Sequence, residues 1–319
     1  MTNAERLAAA TAVATLFLVA VGAFVRASGS GLGCPDWPTC HGGALPPSGH
    51  TEAWIEFSHR FVASVVGLMV IGTALMAWKY YRHVRFIVVT AIVTVPLVGF
   101  QGVLGAITVW RELPPEVVAT HLVTAMIVLL CQVAVAVAMY LEDPAHREQV
   151  ISGAQKVAAR KIGILAVASL IWLAIAMWVG GYMTESGAAT ACADWPGCNG
   201  AASLLPGNDD QEITHMLHRY LAGGLVFVLG PFVALAWRER RQFFWAGPVA
   251  VATGALFTAQ VIVGALNVWY EFPEPLTVSH TTIAAGVWFA LAVGAMFAYY
   301  APVSERRGVR TPAGIEVPA

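Results

Sequence analysis

Charge is what this sequence has least of. Only 12% of its 319 residues are Asp, Glu, Lys or Arg, about half the share of an ordinary soluble domain. Its formal net charge of −1 gives no electrostatic footprint for nucleic acid, which is excluded as a partner. No Arg- and Ser-rich transit segment precedes the first apolar run, which points to a bacterial or archaeal plasma membrane rather than an organelle. Among its five cysteines no two have CxxC spacing, which argues against a thioredoxin-like redox motif.

Apolar residues are what it has instead. They make up 58% of the chain, and the mean hydropathy is +0.67. Eight apolar stretches, near 7–27, 59–78, 86–108, 120–141, 162–182, 215–236, 245–267 and 279–300, can each cross a hydrocarbon core, which takes about 20 helical residues. Only helices satisfy their own backbone polar groups in lipid, so an all-α integral membrane protein is expected. The first stretch follows Arg6 as a signal peptide would. It is long, and 162–182 repeats it in mid-chain, so it reads as a retained span.

Basic residues set the orientation. One side receives Arg6, Lys79, Arg82, Arg85, Arg147, Lys156, Arg160, Lys161, Arg238, Arg240, Arg241, Arg306, Arg307 and Arg310, fourteen of the 18 Lys and Arg. Arg26, Arg60, Arg111 and Arg219 lie near the other side. By the positive-inside rule both termini are cytoplasmic.

The chain also repeats itself. CPDWPTC at 34–40 returns as CADWPGC at 192–198, an offset of 158. His59-Arg60 returns as His218-Arg219, and Gln101, Gly105, Val109-Trp110, Pro114 and His121 return as Gln260, Gly264, Val268-Trp269, Pro273 and His280, all at 159. Four helices per copy bring the chain back to its starting side, so the expected architecture is two tandem parallel four-helix-bundle repeats. The expected divisions are 1–141, a cytoplasmic linker over 142–161, 162–301, and a cytoplasmic tail over 302–319. An eight-helix transporter shares this topology.

Of nine histidines, His41, His50, His83 and His146 read as solvated loop residues. His59, His121, His215, His218 and His280 lie at the external helix ends, and ionisable groups at membrane depth are rare and usually functional. Within each repeat two matched imidazoles come from alternate helices at one depth, which is what bis-histidine haem ligation needs. A zinc site would need three or four converging ligands. Arg60 and Arg219 follow their histidines and are suited to haem propionates. Glu56 lies three residues before His59, on one face if that helix extends back far enough, and the equivalent place in the second repeat is His215. Four cysteines form the pairs Cys34/Cys40 and Cys192/Cys198 in external loops, read as two structural disulfides. Cys131 reads as a packing residue.

These residues together resemble the haem A synthases over roughly 7–300. The resemblance rests on Glu56-Phe57-Ser58-His59-Arg60, His121, His218-Arg219, His280 and the two Cys-x5-Cys loops. It implies conversion of haem O to haem A, by oxidation of a ring methyl to a formyl group through successive hydroxylations. It implies that His59 and His121 hold the substrate haem, and that His218 and His280 hold a haem b cofactor that passes electrons. Glu56 would be the catalytic carboxylate, and the cysteine pairs disulfides, the first taking part in redox transfer. Implied partners are the lipid bilayer, haem O synthase, the cytochrome oxidase assembly machinery and an unidentified electron donor or acceptor. A b-type membrane electron carrier would stack haems across both leaflets, whereas the matched histidines lie on one side. A membrane thiol oxidoreductase and a haem transporter are the remaining alternatives.

Overall fold

The computed structural model describes residues 1–143, 152–200, 204–205 and 207–308, with side chains to residue 300. Residues 144–151 of the expected linker, including His146 and Arg147, lie outside the described residues, as do Arg310 and the end of the tail. The described residues form α1 (Asn3–Ala27), α2 (Thr51–Tyr80), α3 (Arg85–Trp110), α4 (Pro115–Glu142), α5 (Gly153–Glu185), α6 (Asp210–Gly224), α7 (Val226–Arg238), α8 (Ala246–Trp269) and α9 (Glu274–Gly308). Eight spans are long and apolar enough to cross a membrane, α6 and α7 counting together as one.

Local sequence explains most of the boundaries. α1 and α5 open with capping boxes, Thr2 with Glu5 and Ser152 with Gln155, in which side chain and backbone satisfy each other's free donors. The Val-Trp-x3-Pro match marks two helical hairpins. Glu112 and Leu113 after α3, and Glu271 and Phe272 after α8, adopt left-handed backbone. Leu113 N–H then donates to Thr108 O (2.8 Å) and Phe272 N–H to Asn267 O (2.7 Å). Pro114 and Pro273 follow, and proline cannot continue the preceding helix.

Several boundaries differ from the sequence reading: α4 and α9 begin five residues earlier than expected, and α5 begins at Gly153 rather than near 162, so 153–161 of the expected linker is helical. Two further differences have local causes. α2 begins at Thr51 rather than near 59, because the polar turn 51–58 is tied down by the loop before it. The expected helix 215–236 begins at Asp210 and is interrupted at Leu225. There the Trp172 indole of α5 lies against Gly224 and donates to Leu221 O at 2.7 Å. Gly223-Gly224 on one side and Pro231 on the other are ordinary sources of such a break.

The centre of the bundle is built from α4 and α9, the most deeply buried spans, which pack on each other. α1 packs on α4 and α9, and α5 packs on both as well. Small buried residues such as Ala8, Ala138, Ala166, Ala285 and Ala292 let these helices approach closely, the usual basis of helix association in lipid. Large exposed apolar side chains, among them Phe17, Phe61, Leu68, Leu75 and Phe227, form the outer surface. The two cysteine loops lie at one end of the bundle, where α2, α4, α6 and α9 begin.

Candidate functional site

The site is framed by a loop strapped onto α2. Gly33 touches the backbone of Glu52, where an added Cβ would come within 2.4 Å of its carbonyl, so only glycine permits this approach. Cys34 and Cys40 are disulfide-bonded, with Cα atoms 4.7 Å apart. Arg60 gathers the loop by donating to Asp36 O and Thr39 O (2.8 Å each) and Cys34 O (3.3 Å). Glu56, only 4% exposed, binds both parts. One carboxylate oxygen lies 2.5 Å from Arg60 Nη2, and the other accepts the Cys34 N–H at 2.8 Å. At the loop tip Asp36 accepts from the Thr39 hydroxyl and from the Gly42 and His41 amides. The Thr39 bond contributes most to holding its carboxyl below the usual range.

The second half is strapped in the same way with one substitution. Cys192 and Cys198 form the disulfide, with Cα atoms 4.5 Å apart. Arg219 donates to Asp194 O (2.7 Å), Pro196 O (3.2 Å) and Gly197 O. In the place of Glu56 stands His215, 2% exposed. Its Nε2 lies 2.9 Å from Arg219 Nη2 and its Nδ1 3.1 Å from Ala188 O. A neutral ring donating from Nδ1 and accepting at Nε2 satisfies both contacts, which leaves no ring nitrogen for a metal. Both ring nitrogens of His215 are thus engaged within the strap. Each loop also carries a tryptophan edge-on to one at the end of a neighbouring helix, Trp37 on Trp110 at 6.1 Å and Trp195 on Trp269 at 5.9 Å.

Beneath each strap lie two of the matched histidines. His218 and His280 have ring centroids 6.4 Å apart, and His59 and His121 are close enough for their charges to interact. All four rings are half-buried. Each lies against a glycine of the neighbouring helix. An added Cβ at Gly22, Gly105, Gly180 or Gly264 would come within 3.1, 3.3, 2.7 or 3.1 Å of Cε1 of His59, His121, His218 or His280. The Nδ1 atoms of His59, His121 and His280 are buried without a hydrogen-bond partner. His218 differs: its Nδ1 lies 3.1 Å from Ala176 O, which fixes the ring and leaves Nε2 unspent.

Two further residues belong here. The Gln101 amide donates to His121 O at 2.8 Å, whereas the Gln260 amide lies 3.1 Å from His280 Nε2 itself. Both glutamines were visible as repeat matches without an assigned role. Gly22 and Gly180 were overlooked, although they stand at the same offset of 158 as the cysteines. His41 and His50 are exposed, as read, and their rings meet at 5.4 Å. Cys131 is half-buried and free. Among the described residues no group of three or more His, Cys, Asp or Glu side chains is placed to hold a metal ion. What the arrangement offers chemically is paired imidazoles, with a carboxylate at the rim of one pair.

Comparison with known proteins points to one family. Residues 5–292 match the family model described as "Cytochrome oxidase assembly protein". The chain is 31% identical to the heme A synthase of Shouchella clausii over 300 residues, covering 92% of this chain and 93% of that one. It is 29% identical to the heme A synthase of Alkalihalophilus pseudofirmus over 288 residues, 88% and 93% of the two chains. It is 33% identical to that of Halalkalibacterium halodurans over 232 residues, 72% and 74% of the two. The chain belongs to the haem A synthase family of cytochrome oxidase assembly proteins.

Proposed function

We propose that this protein is a membrane oxidoreductase that converts haem O to haem A in two unlike halves. His59 and His121 hold the substrate haem O, and His218 and His280 hold a resident haem b. The observation that supports this most is the fourfold recurrence of a half-buried imidazole laid on a helix glycine. A glycine beside a ring removes the one side chain that would crowd a planar ligand there. The orphaned nitrogens of His59, His121 and His280 fit a group that orders these rings when it binds. Bound haem b supplies reversible one-electron chemistry.

The protein's own residues divide the remaining work. His218 donates from Nδ1 to Ala176 O, so Nε2 points its lone pair away from the backbone as a ligand should. Gln260 gives up His280 Nε2 when that nitrogen is needed. Glu56 is held at a fixed place by Arg60 and the Cys34 amide, one helical turn from His59. From there it can accept a proton or offset positive charge as the substrate is oxidised. His215 cannot, because both of its nitrogens are spent. Arg60 and Arg219 hold the loops and, at the same rim, pair with propionates. The disulfides keep those straps closed, and Cys34–Cys40 lies next to the carboxylate, where redox transfer with the electron partner would occur.

The proposed frame is two parallel repeats, 1–141 and 162–301, joined by the linker 142–161 and followed by the tail 302–319. Both termini are cytoplasmic, and the cysteine loops and histidines are extracytoplasmic. Haem O synthase supplies the substrate, and cytochrome oxidase assembly consumes the product.

The test is the absorption spectrum of protein purified from its membrane, followed by extraction of its haems. A low-spin bis-histidine b-type spectrum with haem O or haem A alongside haem b is expected. Protein that binds no haem when haem is supplied would overturn the assignment.

A further inference from the structure

Arg26 is the last charged residue of α1, and Glu185 closes α5. They meet as an ion pair at 3.2 Å, with side chains 24% and 13% exposed. The two positions are 159 residues apart, within one residue of the chain's own repeat, so the pair lies where the halves face each other. At the opposite end of the bundle Tyr300 donates to Glu142 at 2.6 Å, a second contact between near-equivalent positions. Only the loop-end pair is ionic, and its surroundings are unequal. Arg26 belongs to the first half, yet it is close enough to His280 of the second for its charge to act on that imidazole. The packing of α1 on α9 allows this reach. The counterpart of Arg26 at the cysteine-loop offset is the uncharged Thr184, so no matching cation is delivered to His121.

We infer that Arg26 and Glu185 form a cross-repeat charge pair that sets the reduction potential of the haem held by His218 and His280. The inference rests on the functional reading above. A cation beside a haem disfavours the oxidised form, which carries one more positive charge, and so raises the potential. Glu185 moderates that effect by partly neutralising the guanidinium. Half-buried charges at a membrane end are weakly screened, so the effect survives ordinary salt. Both residues act through the field at His280 and are positioning residues.

The two members of the pair predict shifts of opposite sign, which a purely structural role would not. In the haem-loaded protein, a spectroelectrochemical titration should give Arg26→Gln a lower potential than the parent. Glu185→Gln should give a higher one, because it leaves the guanidinium uncompensated. Arg26→Lys should stay near the parent. Shifts of the same sign, or no shift in either neutral variant, would overturn the inference. So would loss of haem from Arg26→Gln with an unchanged potential in Glu185→Gln. A parent protein without the second-half haem would instead defeat the functional reading itself.

Discussion

Glu56 and His215 occupy corresponding places in the two halves and do the same mechanical job by different chemistry. Each links an arginine one turn on to a backbone group at the disulfide loop: Glu56 to the Cys34 amide, His215 to the Ala188 carbonyl. The carboxylate accepts from both neighbours and can still bind a proton. The imidazole donates to one, accepts from the other, and is used up. A duplicated scaffold can thus keep two equivalent pockets stable while leaving only one of them reactive. On the proposed reading, the first half takes a haem that is changed and released, and the second one that stays.

The largest effect expected from breaking this comparison comes from the ligands of the second half. His218→Ala or His280→Ala should abolish the retained haem b while the protein still inserts, read as loss of its low-spin spectrum. A haem content and spectrum equal to the parent in both variants would remove the ligand assignment. A graded effect is expected next from the glycine contacts. Gly180→Ala would place a Cβ 2.7 Å from His218 Cε1, against 3.1 Å for Gly22→Ala and His59. Overpacking of this kind costs about 1–3 kcal/mol, a loss of roughly 5- to 150-fold in haem b affinity for Gly180→Ala. Gly22→Ala should leave haem b in place, and equal losses from the two variants would contradict independent pockets. The smallest effect belongs to His215→Ala, which removes two hydrogen bonds from a buried strap. It should destabilise the protein by about 1–3 kcal/mol, measured by thermal unfolding, while haem b is retained. Loss of the haem spectrum there would return His215 to the ligand set.

Much of this fold is legible in the residues themselves, for identifiable reasons. Long apolar runs in lipid leave only helices available, so the eight spans follow from length and composition. The repeat exposes the histidines because the same residues must recur where the same contacts recur. The start of α2 was not legible: TEAWIEFS is polar enough to read as loop, and its helicity depends on Glu56 and Gly33 meeting residues far away in sequence. The interruption at Leu225 depends on Trp172, some fifty positions earlier, which no local periodicity reveals. Arg60 and Arg219 read as propionate partners from their place beside the histidines, but their hold on the loops was not legible, because their carbonyl partners come together only once the disulfide loops close. Gly22 and Gly180 could have been found from the cysteine offset alone. Their role as floors for the imidazoles could not, since it belongs to the packing of α1 on α2 and of α5 on α6.

The central claim is that chemistry belongs to the first half and retention to the second, with Glu56 as the residue that separates them. Glu56→Gln tests it most directly, because the amide keeps the size and one acceptor for the Cys34 N–H while removing the charge. Haems extracted from cells supplied with haem O and producing this variant should contain haem b in the protein and no haem A. Haem O or a hydroxylated intermediate should accumulate in its place. Haem A at the parent level would contradict a catalytic role for this carboxylate and leave Glu56 as a strap for the first disulfide loop.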